Sequence, residues 1–122
     1  METGDRREGA RRDIICILDY ICLDSSGCPV KQGVARSLDI SENGARIETH
    51  EPIETKHIMF LAIGINEDVC DIKGKVAYCI RMGDGQFESG VDFYEISFDA
   101  HAKLKQFIQS VETIHRNLRK YI

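Results

Sequence analysis

The sequence has no apolar run of about 18 residues, so nothing in its 122 positions reads as a membrane-crossing helix. Its first residues, Met1 to Arg7, lack the apolar core of a secretory signal, and a cytoplasmic location is the expectation. The five cysteines (Cys16, Cys22, Cys28, Cys70, Cys79) include no C-x-x-C pair, the spacing on which zinc sites usually rest. Reduced thiols packed as small hydrophobes are the reading that remains. His50, His57, His101 and His115 show neither metal-ligand nor triad spacing, so no metal is expected. There is no phosphate loop of the G-x-x-x-x-G-K type, no nucleophile–base pair and no cluster of carboxylates, which argues against an enzyme. Positive charge is not in excess either. A net charge of −4 and a pI near 5.5 speak against a domain that grips duplex DNA through its phosphates, but leave room for a small anionic nucleotide held by a local cationic cluster. No internal repeat or low-complexity segment occurs.

What is present fits one domain. The chain is long enough to bury a core without disulfides or metal. Residues 1–12 are polar and arginine-rich and read as a flexible arm, with Arg6, Arg7, Arg11 and Arg12 inside seven positions. From composition alone those arginines read first as a solvated tail beside Glu2, Asp5 and Glu8. Apolar density rises at Ile14 and holds to Leu23, a β-branched strand apolar on both faces. Ser25-Ser26-Gly27 marks a turn, and Val30 to Leu38 a second strand in hairpin with the first. The segment from Asp39 to Gly44 reads as a turn of residues that bond local backbone or accept positive φ. A short strand through Ala45 and Ile47 ends at Glu51-Pro52. Strands follow over His57–Ile65, over Val69–Ile80 with Gly74 as a candidate bulge, and over Phe87–Ile96 after the Gly83-Asp84-Gly85 turn. Beyond Ser97 the period changes. Leu104, Phe107, Ile108, Val111, Ile114, Leu118 and Tyr121 form one stripe of an amphipathic helix with Asp99 as its N-cap. That stripe docks on the barrel, or its far end pairs with a second chain as a weak homodimer. Six short strands and a helix give a mainly β barrel or sandwich: 1–12 arm, 13–97 barrel, 98–122 C-terminal helix.

The order of motifs is more specific than any one of them. Arg7-Glu8-Gly9-Ala10-Arg11 precedes the first strand, Asp39-Ile40-Ser41-Glu42-Asn43-Gly44 follows about 30 residues later between two strands, and the last strand holds Gly90-Val91-Asp92-Phe93 before the helix. This resembles the PilZ domain family, with its R-x-x-x-R and (D/N)-x-S-x-x-G signature, over roughly residues 6 to 111. The resemblance implies a six-stranded antiparallel barrel with a C-terminal helix, and a receptor for cyclic di-GMP with no other cofactor. It places ligand contacts on Arg6, Arg7, Arg11, Asp39, Ser41 and Gly44, and makes Arg12, Arg36, Arg46 and Gly90 additional candidates. Arg12 stands where the family more often has an apolar or small residue.

The chemistry of those residue types suits such a ligand. A guanidinium fork matches the paired O6 and N7 acceptors of guanine and stacks on its face. Asp39 would accept from guanine's N1–H and N2–H₂ edge, Ser41 would donate to a phosphate or base, and Gly44 would allow positive φ and close backbone approach. On this reading ligand pins the arm and signals to an unidentified partner protein in motility, adhesion, secretion or transcription. The alternative is a PilZ-like protein-interaction module that binds no nucleotide.

Overall fold

A computed structural model describes residues 16–65 and 67–119. The arm expected over residues 1–12, and with it Arg6, Arg7, Arg11 and Arg12, lies outside the described residues. Six antiparallel strands, β1 (Ile17–Leu23), β2 (Pro29–Ile40), β3 (Gly44–Thr49), β4 (Ile58–Ile65), β5 (Asp68–Gly83) and β6 (Gln86–Phe93), precede one helix, α1 (Phe98–Arg119). The strands close into a barrel in the order β1-β2-β3-β6-β5-β4, as the resemblance implied.

Alternation of side chains builds the interior. Leu18, Tyr20 and Cys22 of β1, Ile40 of β2, Ala45 and Ile47 of β3, Met59, Leu61 and Ile63 of β4, Ile72 and Val76 of β5 and Val91 of β6 all point inward and are buried. The first strand is apolar on both faces, but only one is covered: Ile17 and Ile21 stay exposed on its outer side. Helix α1 packs against β4 and β5 and buries Ala100, Leu104 and Ile108, while Ile114 is exposed. A contact of His101 with Glu42 ties its first two turns to the β2–β3 turn, and an ion pair of Lys103 with Asp68 ties them to the start of β5.

Three local expectations are corrected. The turn is shorter than Asp39–Gly44: Asp39 and Ile40 remain in β2, and β3 begins at Gly44, leaving Ser41, Glu42 and Asn43 between them. The register of β5 shifts not at Gly74 but between Val76 and Tyr78, around Ala77, and again between Arg81 and Gly83. Gly74 is small for another reason, since a Cβ there would stand 2.3 Å from Val91 Cγ1. The helix is capped by Ser97, whose Oγ accepts the Ala100 amide at 3.1 Å, and Asp99 sits inside the first turn. The Asp84-Gly85 hairpin forms as read, with Gly85 at φ +64°.

Candidate functional site

Two bulges aim the polar side chains of this barrel. In β2, Arg36 pairs with Glu48 and Ser37 with Ile47, but the next pair is Asp39 with Arg46, so Leu38 is an extra residue. Strict alternation would turn Asp39 to the interior with Ser37. One inserted residue returns it to the outer face, opposite Arg46. In β5, Ala77 does the same for Tyr78, which lands opposite Gly90. Since Arg46 also pairs with Gly90, four residues form one row across four strands: Asp39, Arg46, Gly90, Tyr78. The next row along is Arg36, Glu48, Glu88, Ile80.

The rows are joined by charge. Arg46 Nε donates to Asp39 Oδ2 at 2.6 Å, and Arg46 Nη1 lies 3.4 Å from Glu88 Oε2. The Tyr78 hydroxyl donates to that same Glu88 oxygen at 2.8 Å. Arg36 pairs with Glu48, which also accepts from Gln86. Asp39 is 4% exposed although it faces outward, whereas the Arg46 side chain is 40% exposed. The hydrogen bond from Arg46 to Asp39 raises the arginine's pKa against the opposing effect of burial, so this guanidinium is fixed in its charged form.

Ser41 and Gly44 hold the turn. Ser41 Oγ accepts from the amides of Asn43 and Gly44, each at 3.2 Å, and donates to the Gly44 carbonyl at 3.3 Å. Its hydroxyl is buried among these bonds. Gly44 has no positive φ, unlike Gly27 and Gly85. It is needed because a Cβ would stand 2.5 Å from the Val91 carbonyl oxygen on β6. Gly90 is needed because a Cβ there would stand 2.2 Å from the Tyr78 ring.

The root of the arm is fixed beside this site. Cys16 N donates to Ser37 Oγ at 2.9 Å, and Ser37 N to the Cys16 carbonyl at 2.9 Å. The chain therefore enters the barrel two positions from Asp39. Sequence reasoning brought Asp39, Ser41, Gly44, Arg46, Arg36 and Gly90 to this region, and it missed Glu88 and Tyr78. Tyr78 had no local signal, because the bulge that turns it outward shows only in the pairing of β5 with β6. Glu88 had none, because its role depends on a strand distant in sequence. Among the described residues no group of three His, Cys, Asp or Glu side chains is placed to hold a metal ion, and no helix is long and apolar enough to cross a membrane.

Similar proteins place the barrel. No curated protein sequence matches the chain. Among solved structures, the PilZ domain of CeSA from a cellulose-synthesizing bacterium superposes with a TM-score of 0.61 at 12% identity, over 84% of this chain and 97% of that one. The Bacillus subtilis inhibitor of motility MotI/DgrA gives 0.63 at 18% identity, over 88% and 52%. MrkH of K. pneumonia, solved as a complex with c-di-GMP, gives 0.66 at 15% identity, over 94% and 55%. The chain thus spans about half the length of MotI and MrkH. At these identities the likeness speaks for the fold. The sequence itself matches the family described as PilZ domain over residues 5–110. With the closed six-stranded barrel, the Asp-x-Ser-x-x-Gly turn and the upstream arginine motif all accounted for, this chain belongs to the PilZ domain family.

Proposed function

We propose that this domain is a receptor for cyclic di-GMP, with the ligand bound on the outer face of β2 and β3 and clasped there by the arginine arm. The observation that carries the reading is the placing of the arm's root. Cys16 is bonded to Ser37, and Ser37 lies two positions from the outward-turned Asp39. A chain reaches at most about 3.3–3.6 Å per residue, so Arg11 lies within about 18 Å of that root and Arg7 within about 32 Å. Both distances span the two rows. Family membership, intact arginine and Asp-x-Ser-x-x-Gly motifs, and the complex of MrkH with this nucleotide support the same ligand. Arg46 offers a charged fork held by Asp39, and the arm offers more. Each charge-assisted bond is worth roughly 1.5–3 kcal/mol, against about 1–2 kcal/mol to fix each residue of backbone.

Ligand would act by changing the state of the arm, and the switching energy is limited to its differential affinity for the two states. A cytoplasmic setting, a partner protein that reads the change and a non-enzymatic role complete the proposal. Calorimetric titration of the full chain tests it. Micromolar or tighter binding is expected, abolished in Arg7→Ala and in Arg11→Ala with unchanged thermal unfolding. Absence of binding by the wild type, or conversion of the nucleotide to a linear product, overturns it.

A second reading, a PilZ barrel that binds a protein and no nucleotide, is favoured by one feature. The outer faces of β1, β2 and β4 expose Ile17, Ile21, Val34 and Phe60, and Ile21 lies directly opposite Phe60. Apolar side chains exposed together on one wall, here interrupted by Asp19 between Ile17 and Ile21, are a feature of interaction surfaces. The same titration separates the readings.

A further inference from the structure

The two rows that frame the site contain three carboxylates, Asp39, Glu48 and Glu88, and two guanidinium groups, Arg36 and Arg46. Both cations are therefore already engaged by carboxylates, and the face holds one negative charge in excess. A surface of that charge is a poor landing place for a dianionic ligand, so something on it has to give way.

The contacts of Arg46 differ in kind. Its bond to Asp39 is short, at 2.6 Å, and the Asp39 side chain is 6% exposed. Its contact with Glu88 is long, at 3.4 Å, and uses the outer nitrogen Nη1. The carboxylate oxygen involved has a second donor, the Tyr78 hydroxyl at 2.8 Å. Tyr78 in turn is kept in place over Gly90, where any side chain would collide with its ring. Glu88 can thus release Arg46 without leaving its oxygen unbonded.

We propose that Glu88 is an affinity-setting residue, an internal anion that occupies the outward end of Arg46 until an acceptor of the bound dinucleotide displaces it onto Tyr78. The proposal rests on the receptor reading above. Glu88 touches the ligand in neither state and acts through Arg46. Its effect is that of a competitor tethered to the protein, and weakening it strengthens binding.

Calorimetric titration of the full chain with cyclic di-GMP tests this in four proteins: wild type, Glu88→Gln, Arg46→Gln and the double variant. Gln retains an oxygen that accepts from Tyr78 and removes only the charge. Glu88→Gln is expected to bind about fivefold tighter, the scale of one partly exposed ion pair. In the Arg46→Gln background the same change is expected to have no effect beyond about twofold, a non-additivity that a general change of surface charge does not produce. Should Glu88→Gln fail to fold, Glu88→Ala serves, with the same direction expected. Equal or weaker binding by the Glu88 variant, with the wild type binding, overturns the proposal and leaves the receptor reading standing. A gain that persists in the Arg46→Gln background overturns it as well. No binding by the wild type brings down the receptor reading and this proposal together.

Discussion

Asp39 and Arg46 face each other across β2 and β3 at 2.6 Å because Leu38, one residue earlier, is bulged out of register. Arg46→Ala leaves the buried Asp39 carboxylate without this partner. Loss of one partner from a fully buried pair costs about 3–5 kcal/mol, and the exposure of Arg46 brings the expectation down to about 1–2 kcal/mol. Asp39→Asn, which removes the charge and keeps the shape, is expected to cost less, and the two changes together less than their sum. Urea unfolding of the three variants measures each value.

Gly44 and Gly64 are both strand glycines, and substitution separates them. A Cβ on Gly44 meets the Val91 carbonyl oxygen at 2.5 Å, a backbone atom that cannot step aside. Gly44→Ala is expected to destabilise by about 1–3 kcal/mol as β3 and β6 move apart. A Cβ on Gly64 meets nothing within 4 Å, so Gly64→Ala is expected to be neutral or to stabilise by about 0.5–1 kcal/mol. Equal effects in thermal unfolding would contradict the packing described here.

Ser97 and Asp99 both suit a helix start, and their substitutions differ in size. Ser97→Ala removes the acceptor of the Ala100 amide and is expected to cost about 1 kcal/mol. Asp99→Asn removes only a favourable charge near the helix N-terminus, for about 0.3–0.5 kcal/mol. Unfolding midpoints measured side by side rank the two.

Stability is expected to fall in acid and to be flat from there to neutral pH. Four carboxylates have lowered pKa values: Glu48 through hydrogen bonds from Arg36 and then Gln86, Asp68 through Lys103, Glu95 through Lys73, and Asp24 through the amides of Cys28 and Ser26. The native state holds the ionised form of each better than the unfolded chain does. Their contribution is present above the ordinary carboxylate range, about pH 4, and is lost as pH drops through the lowered folded values. Asp68 and Glu95 are exposed and Asp24 and Glu48 partly so, and salt should shrink the effect. Melting temperatures between pH 7 and 3, at low and high salt, measure this. A melting temperature that rises on acidification would contradict it.

The barrel was legible because alternating burial, turn residues and the change to a helical period are written along the chain. The helix stripe through Leu104 and Ile108 and the Asp84-Gly85 hairpin came directly from such local patterns. The two bulges did not. A bulge is a mismatch in count between one strand and its neighbour, and neither Leu38 nor Ala77 looks unusual on its own strand. Reading Asp39 as part of a turn followed from that, because polar residues beside Ser41 and Gly44 resemble a loop. Gly44 was read as a place for positive φ and for close approach to a ligand; its φ is not positive, and the group that approaches it within the fold, Val91, lies 47 positions further along. Glu88 and Tyr78 were invisible for the same reason: what they bond to is set by the β3–β6 and β5–β6 pairings.

Closure of the ring has a further consequence for signalling. Closure gives every described strand a hydrogen-bonded neighbour on both sides over part of its length, so among the described residues no strand is left with a whole edge for another chain to extend. A target that responds to this domain finds no complete edge strand to pair with. Side chains on the barrel wall and on the helix are the larger surface it can read, and specificity is then written in residues that change without disturbing the sheet beneath.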